Sequence, residues 1–274
     1  MVVPGYLLSL REGLEAALII SIVFGVVRQM RRSTLKPVIW SGVVSAIVIS
    51  LVTALVLYAI GTAFEGPAEK IFEGVTMFLA AGVLTWMIFW MQRQSSRIKV
   101  GLENDVRQAL TQAGGRALFV IAFLAILREG VELSLFLTAT TFTSSPGVTL
   151  IGALLGLSTA IILGWLLYTA SVRLNLRRFF QLTGFLLILF AAGLVAHAVH
   201  EFNEVALIPG IIEPLWDINH ILPEESILGQ MLKALFGYNG NPSLSEVLGY
   251  ILYFAVIIFG LRKVSSNLPV MQEV

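Results

Sequence analysis

Two segments carry the same run of charges inside apolar sequence: LLSLREGLEAALI at 7–19 and LAILREGVELSLF at 124–136. Each embeds Arg-Glu-Gly-x-Glu, so Arg11, Glu12 and Glu15 recur as Arg128, Glu129 and Glu132 at an offset of 117 residues. Carboxylates paired with an arginine, far from polar sequence, can do two kinds of chemistry: bind a cation or carry a proton. On a helix, with about 100° between residues and Arg11 at zero, Glu12 lies near 100° and Glu15 near 40°. All three charges therefore share one arc, with Glu15 between its neighbours, and the second copy repeats this. Gly13 and Gly130 point elsewhere and read as packing or backbone-softening positions.

An ionised group near the centre of a bilayer is disfavoured by roughly 2.5–3.5 kcal/mol on the translocon-insertion scale. Six such groups in two helices should face a bundle interior or a polar pathway. Each copy carries one positive and two negative charges, so the pair keeps excess negative charge while every carboxylate is ionised. Such a site is completed by a cation. Four carboxylates are hard oxygen donors suited to Fe(III), Mn(II), Mg(II) or Ca(II). Arginine cannot ligate a metal but can orient a carboxylate and limit repulsion. The alternative is a structural ion pair in each copy, with the second glutamate protonated.

A further polar group, AHAVHEFNE, supplies His197, His200, Glu201 and Glu204. His197 and Glu201, like His200 and Glu204, stand four residues apart and stack along a helix. With Glu73 they form a candidate external capture site for metal; the other reading is a helix end entering water. Met77, Met87 and Met91 read as a packing stripe, since no Cys or clustered His accompanies them. Trp86, Phe89 and Trp90 fit an interfacial aromatic belt.

The elements that must position these groups follow from composition. The 274 residues are 57% hydrophobic and only 13% charged, with a mean hydropathy of +0.87. Soluble domains carry about a quarter of their residues as charges. The values exclude an ordinary soluble enzyme, a disordered chain and a nucleic-acid-binding module. With no Cys in the chain, disulfides and thiolate metal sites are excluded as well. Seven stretches reach the length and apolarity of a spanning helix, at 3–27, 37–60, 73–91, 117–142, 147–170, 181–200 and 245–261. None reads as a cleaved signal peptide, because charges interrupt the first apolar run.

Charge alternates between the connecting loops. Arg28, Arg31, Arg32, Lys36, Arg93, Arg97, Lys99, Arg107, Arg116, Arg173, Arg177, Arg178, Arg262 and Lys263 fall on one side, against Lys70 and Lys233 on the other. The second side collects Glu65, Glu69, Glu73, Glu201, Glu204, Glu213, Asp217, Glu224, Glu225 and Glu246. The basic side is expected to be cytoplasmic, which places the N-terminus outside and the C-terminus inside. Residues 99–115 read as a short cytoplasmic helix. The external loop 201–246 contains an apolar stretch, 227–236, that lies on the membrane surface or packs over the bundle.

The repeated pentapeptide has three spans between its copies, so the two copies run in opposite directions. FLAAGVLTW at 78–86 and LFAAGLVAH at 189–197 echo the same arrangement. The expected fold is an all-α polytopic membrane protein, one membrane domain over 1–274. It comprises an inverted three-plus-three repeat (1–100 and 114–204) and a seventh helix at 245–262. Transporters built this way bind substrate near the midplane.

With these residues in view, the chain resembles the oxidase-dependent iron permeases, the family of fungal high-affinity and bacterial ferrous iron permeases. The resemblance rests on REGLE at 11–15, LTWMIFWM at 84–91, REGVE at 128–132, the AAG…H…HE run at 191–201 and LFGYNGNPSLSEV at 235–247. It implies iron import across the cytoplasmic (inner) membrane, with Glu12, Glu15, Glu129 and Glu132 as ligands along the path and Arg11 and Arg128 as their charge partners. It also implies oxidation of Fe(II) to Fe(III) by an extracytoplasmic oxidase or peroxidase, and an iron-binding protein as a further partner. Iron is then substrate, with no permanently bound cofactor, and the chain is a transporter in contact with lipid; assembly into a homo-oligomer is left open. Two other readings stand beside this one. The same glutamates could carry protons in a transporter of another metal or solute. An intramembrane metal-dependent enzyme could be built on 197–204, although no HExxH pattern is present.

Overall fold

A computed structural model describes residues 2–94, 101, 104, 106–108, 114–169 and 176–266. Among them the chain is helical, with no strand. The long helices are α1 (Val3–Gln29), α2 (Lys36–Ala63), α3 (Pro67–Gln94), α4 (Gly115–Thr143), α5 (Pro146–Thr169), α6 (Leu176–Glu204) and α8 (Leu244–Ser266), with a short helix α7 (Ile227–Phe236) before the last. Each apolar stretch read from the sequence becomes one long helix, extended by a few residues at its ends. Five of them, α2, α3, α5, α6 and α8, are long and apolar enough to cross a membrane. Helices α1 and α4, of 27 and 29 residues, match that length, but the central charges of each take them out of the purely apolar class. Of the cytoplasmic helix expected at 99–115, residues 101, 104 and 106–108 are helical and much of the rest lies outside the described residues.

The chain divides into two compact units, Met1–Ala63 with Arg97–Thr183, and Phe64–Ser96 with Gly184–Val274. The first holds α1, α2, α4 and α5. Its main pairings are α1 with α5 and α2 with α4, and α1 also touches α4. Small residues let these backbones approach closely, as is usual where helices pack in lipid. Gly5 lies against Thr149, Gly13 against Leu157 and Ala160, and Gly164 against Ala17, so α1 and α5 run parallel. A Cβ at Gly152 would meet Val2 O and Tyr6 N; one at Gly42 would meet Phe119 O and Phe123 N. Moving α1 by 117 residues and α2 by 110 converts the first contact into the second. The same shifts turn Gly13 against Ala160 into Gly130 against Ser50. The two helix pairs are thus packed in one register, and Gly13 and Gly130 are packing positions. Val23, Val27, Ile39, Val43, Leu118 and Ile126 form a buried cluster in this unit.

The second unit holds α3, α6 from Gly184 onward, α7 and α8. Phe78 of α3 stacks on Phe202 of α6 at 5.7 Å, and Thr85 of α3 shares a hydrogen bond of 2.9 Å with Tyr253 of α8. Met77 and Met87 are fully buried, as expected of a packing stripe, while Trp86 is 65% exposed, as a lipid-facing ring should be. Helix α7 coincides with the apolar stretch at 227–236. Ser226 Oγ accepts from Gly229 N to cap its start, and Gly237, at φ +67°, ends it. That glycine is required twice over, because its Cα lies against Gly193 of α6 and a side chain on either would clash. After α7 the chain is anchored by Glu224, which accepts from Lys233 Nζ at 2.8 Å and from Gly240 N at 2.9 Å. Burial pushes that carboxyl up, but these two donors outweigh it and hold it below its ordinary value.

Candidate functional site

In the first unit, α1 and α4 bring their charged runs together. Arg11 and Glu12 are each only 1% exposed. Arg11 reaches both carboxylates of its own run: Nη1 donates to Glu12 Oε1 at 3.0 Å, and Nη2 lies 3.0 Å from Glu15 Oε1. On α4, Arg128 Nε donates to Glu132 Oε1 at 2.8 Å. Glu129, buried like Glu12, approaches from the opposite helix: one carboxylate oxygen each from Glu12, Glu15 and Glu129 lie within 4.8 Å of one another. Two oxygens on opposite sides of a hard cation are separated by twice the metal–oxygen bond, about 4–5 Å for bonds of 2.0–2.5 Å. The three glutamates are therefore spaced as ligands of one ion would be.

Hydrogen bonding leaves the same residues short of donors. Glu12 Oε2, Glu129 Oε2 and Glu132 Oε2 are buried and accept no hydrogen bond among the described residues. Buried carboxylate oxygens facing one another are costly unless a proton or a cation lies between them. Either occupant fits the chemistry of this group, and a cation of two or more charges relieves more of the repulsion than one proton does.

The second unit assembles the polar group at the end of α6. Glu201 and Glu204, at the end of α6, both hold Lys70 of α3, with Nζ–O distances of 2.9 and 3.1 Å. Glu73 sits beside Glu201. His200 Nε2 is 3.3 Å from Glu204 Oε1, and its Nδ1 lies 3.0 Å from Glu246 Oε1. Glu246 is further fixed by Asn239 Nδ2, which donates to its Oε2 at 2.8 Å, and by Ser243 N, which donates to Oε1 at 3.1 Å. Of the expected capture residues, Glu73, His200, Glu201 and Glu204 come together; His197 instead turns its Nδ1 to Gly193 O at 3.1 Å.

Lys70 and Glu246 are the members that the sequence reading did not single out. For Glu246 a signal exists: Ser243-Leu-Ser-Glu246 opens α8 as a capping box, with Glu246 N donating to Ser243 Oγ at 3.2 Å and Ser243 N returning to the glutamate. No spacing rule points to Lys70, because its partners lie on another helix. The motifs quoted above, AAG…H…HE and LFGYNGNPSLSEV, meet here: the first supplies Gly193, His200 and Glu201, the second Gly237, Asn239, Ser243 and Glu246.

With this geometry in place, comparison with known proteins is decisive about kinship. Residues 2–266 match the iron permease FTR1 family. The chain belongs to that family. Among curated members, the ferrous iron permease EfeU of Shigella sonnei (strain Ss046) is 38% identical over 266 residues, covering 95% of this chain and 96% of the relative. The same figures hold for the ferrous iron permease EfeU of Escherichia coli O157:H7. That of Yersinia pestis is 37% identical over 271 residues, 97% of this chain and 95% of the relative. No solved structure matches the chain. Both Arg-Glu-Gly-x-Glu runs and the cluster at the end of α6 fall inside the span matched to the iron permease family, and the chain is a membrane protein by its apolar helices.

Proposed function

We propose that this chain is an iron permease that carries iron inward through the carboxylates of Glu12, Glu15, Glu129 and Glu132. The observation that carries this reading is the convergence of buried Glu12 and Glu129 with partly buried Glu15 from two helices, with oxygens within 4.8 Å of one another and buried carboxylate oxygens short of donors. Family membership names the cargo class. Arg11 and Arg128 hold these carboxylates against mutual repulsion while no ion is bound. The outer group, Glu73, His200, Glu201 and Glu204, receives the ion first, and the membrane potential adds roughly 2.3 kcal/mol of inward drive per positive charge per 100 mV.

The rest of the architecture follows from the same reading. All seven long helices cross the cytoplasmic membrane, the N-terminus lies outside and the C-terminus inside, and α1–α3 and α4–α6 are inverted repeats. The equal register of the two helix pairs supports the repeat, and so does direction: α1 and α5 run parallel, as two odd-numbered spans must. Oxidation of Fe(II), where it accompanies import, falls to an extracytoplasmic partner.

The test is uptake of radiolabelled iron into liposomes containing the purified chain. Glu15→Ala and Glu132→Ala should each abolish uptake while the protein still inserts and purifies normally; wild-type rates in both would overturn the carboxylate path. The same oxygens would also serve proton transfer in a carrier of another solute. Uptake across a panel of metals and across pH separates the two, since a proton carrier would move the other solute and show no iron preference.

A further inference from the structure

The outer cluster of the second unit already holds a cation, and that cation belongs to the chain. Lys70 Nζ lies 2.9 Å from Glu201 Oε2 and 3.1 Å from Glu204 Oε2, bridging two carboxylates of the group. Glu73 lies beside Glu201 and Lys70, and His200 joins Glu204 to Glu246. Without Lys70 the group would be four carboxylates against one imidazole.

Exposure decides what the ammonium does there. Glu201 is 11% exposed, but Lys70 and Glu204 are 33% and 44% exposed, so water reaches the pair. Ion pairs this accessible are weak and break readily. Lysine suits such a role: its ammonium is a compact, strongly hydrated charge on a flexible four-carbon stem, able to leave without disturbing the helix that carries it. Arg11 also holds two carboxylates at once, but it is buried, so its pairs are shielded from water. An ammonium offers no lone pair, so Lys70 cannot ligate a metal; its positive charge on Oε2 of Glu201 and of Glu204 repels any cation drawn to the same oxygens.

We propose that Lys70 is a tethered cation that competes with the cargo for Glu201 and Glu204 and thereby sets the affinity of the outer face for metal. This rests on the reading of that cluster as the entrance for iron. While Lys70 is bound, only a fraction of molecules can accept an ion, and the apparent dissociation constant rises by the inverse of that fraction. Its consequence is selectivity by charge density. A divalent or trivalent ion displaces one ammonium with net gain, whereas a monovalent ion does not.

Two measurements on the full chain test this. In nanodiscs, Mn(II) binding is followed by the loss of its free-ion EPR signal, with the inner carboxylates replaced by Glu12→Gln, Glu15→Gln, Glu129→Gln and Glu132→Gln so that the outer group is read alone. Lys70→Gln in that background should tighten binding about three- to tenfold, Lys70→Arg should bind no more tightly than lysine, and adding Glu201→Gln with Glu204→Gln should abolish the gain. In liposomes with the inner glutamates intact, Lys70→Gln should lower KM for iron by a similar factor. A purely structural clamp predicts the opposite sign, with looser helices and weaker or unchanged binding, and either result would overturn the proposal. If Lys70→Gln tightens Mn(II) binding but the wild-type chain moves no iron, the competition stands and the permease reading falls. If iron moves while Lys70→Gln changes neither quantity, the competition falls alone.

Discussion

Two identical tripeptides, Arg-Glu-Gly, occupy unlike surroundings. Arg11 is 1% exposed and reaches Glu12 and Glu15, whereas Arg128 is 37% exposed and pairs with Glu132. Removing one partner from a buried charge group costs about 3–5 kcal/mol, because the remaining charges lose their compensation; the loss is smaller where water reaches one member, as it does Arg128. Arg11→Met should therefore lower thermal stability in detergent far more than Arg128→Met. Adding Glu15→Gln should restore part of the loss caused by Arg11→Met, as coupled neighbours do. Equal losses in the two arginine variants would mean that the environments are alike after all. Sequence spacing revealed which charges share a helix face, and Arg11 does reach both of its glutamates. It could not reveal the difference between the two copies, since exposure depends on what packs alongside. Lys70 stayed hidden for the same reason: a residue's partners across helices leave no periodicity in its own.

At the scale of elements, apolar length located every long helix, and the limits differ from the structure by a few residues. The charges that mark the candidate site also make α1 and α4 the least recognisable as spans by apolarity alone; the repeat and the loop charges are what point to them. Which helices pair was not legible. The sequence halves group α1–α3 and α4–α6, yet the compact units take α1, α2, α4 and α5 in one and α3, α6, α7 and α8 in the other. Each of the two closest pairings, α1 with α5 and α2 with α4, therefore joins one half to the other. Matching contacts predict matching costs. Gly42→Val and Gly152→Val each press a side chain onto backbone atoms of the neighbouring helix, and overpacking of this kind costs about 1–3 kcal/mol. Thermal unfolding should show similar losses for both. Gly82→Ala, where nothing lies within 4 Å of the added carbon, should be neutral or slightly stabilising. Gly82 and Gly193 occupy the same place in the AAG echo, but Gly193 is pinned against Gly237, so Gly193→Ala should behave like the first pair and not like Gly82→Ala.

For the whole molecule, the governing fact is the separation of charge along the chain. Broad exposed apolar faces on α2, α5 and α8, including Val48, Leu51, Leu55, Leu154, Ile161 and Phe259, would be untenable in water and are natural in lipid. They give no direction; only the loop charges do. If the basic loops are cytoplasmic, the connection between α1 and α2 lies inside, while the α4–α5 connection and the segment before α7 lie outside. Because the chain has no Cys, single cysteines report this without background. Thr34, Ser145 and Glu225 are all exposed. In intact cells a membrane-impermeant maleimide should label Ser145→Cys and Glu225→Cys, and should reach Thr34→Cys only after permeabilisation. The converse pattern would invert the molecule: the Lys70 cluster would then face the cytoplasm, and iron entering from outside would meet the basic loops first. Labelling of all three positions from one side would instead break the alternation of spans, because Thr34 and Ser145 are separated by α2, α3 and α4 and an odd number of crossings must place them on opposite faces.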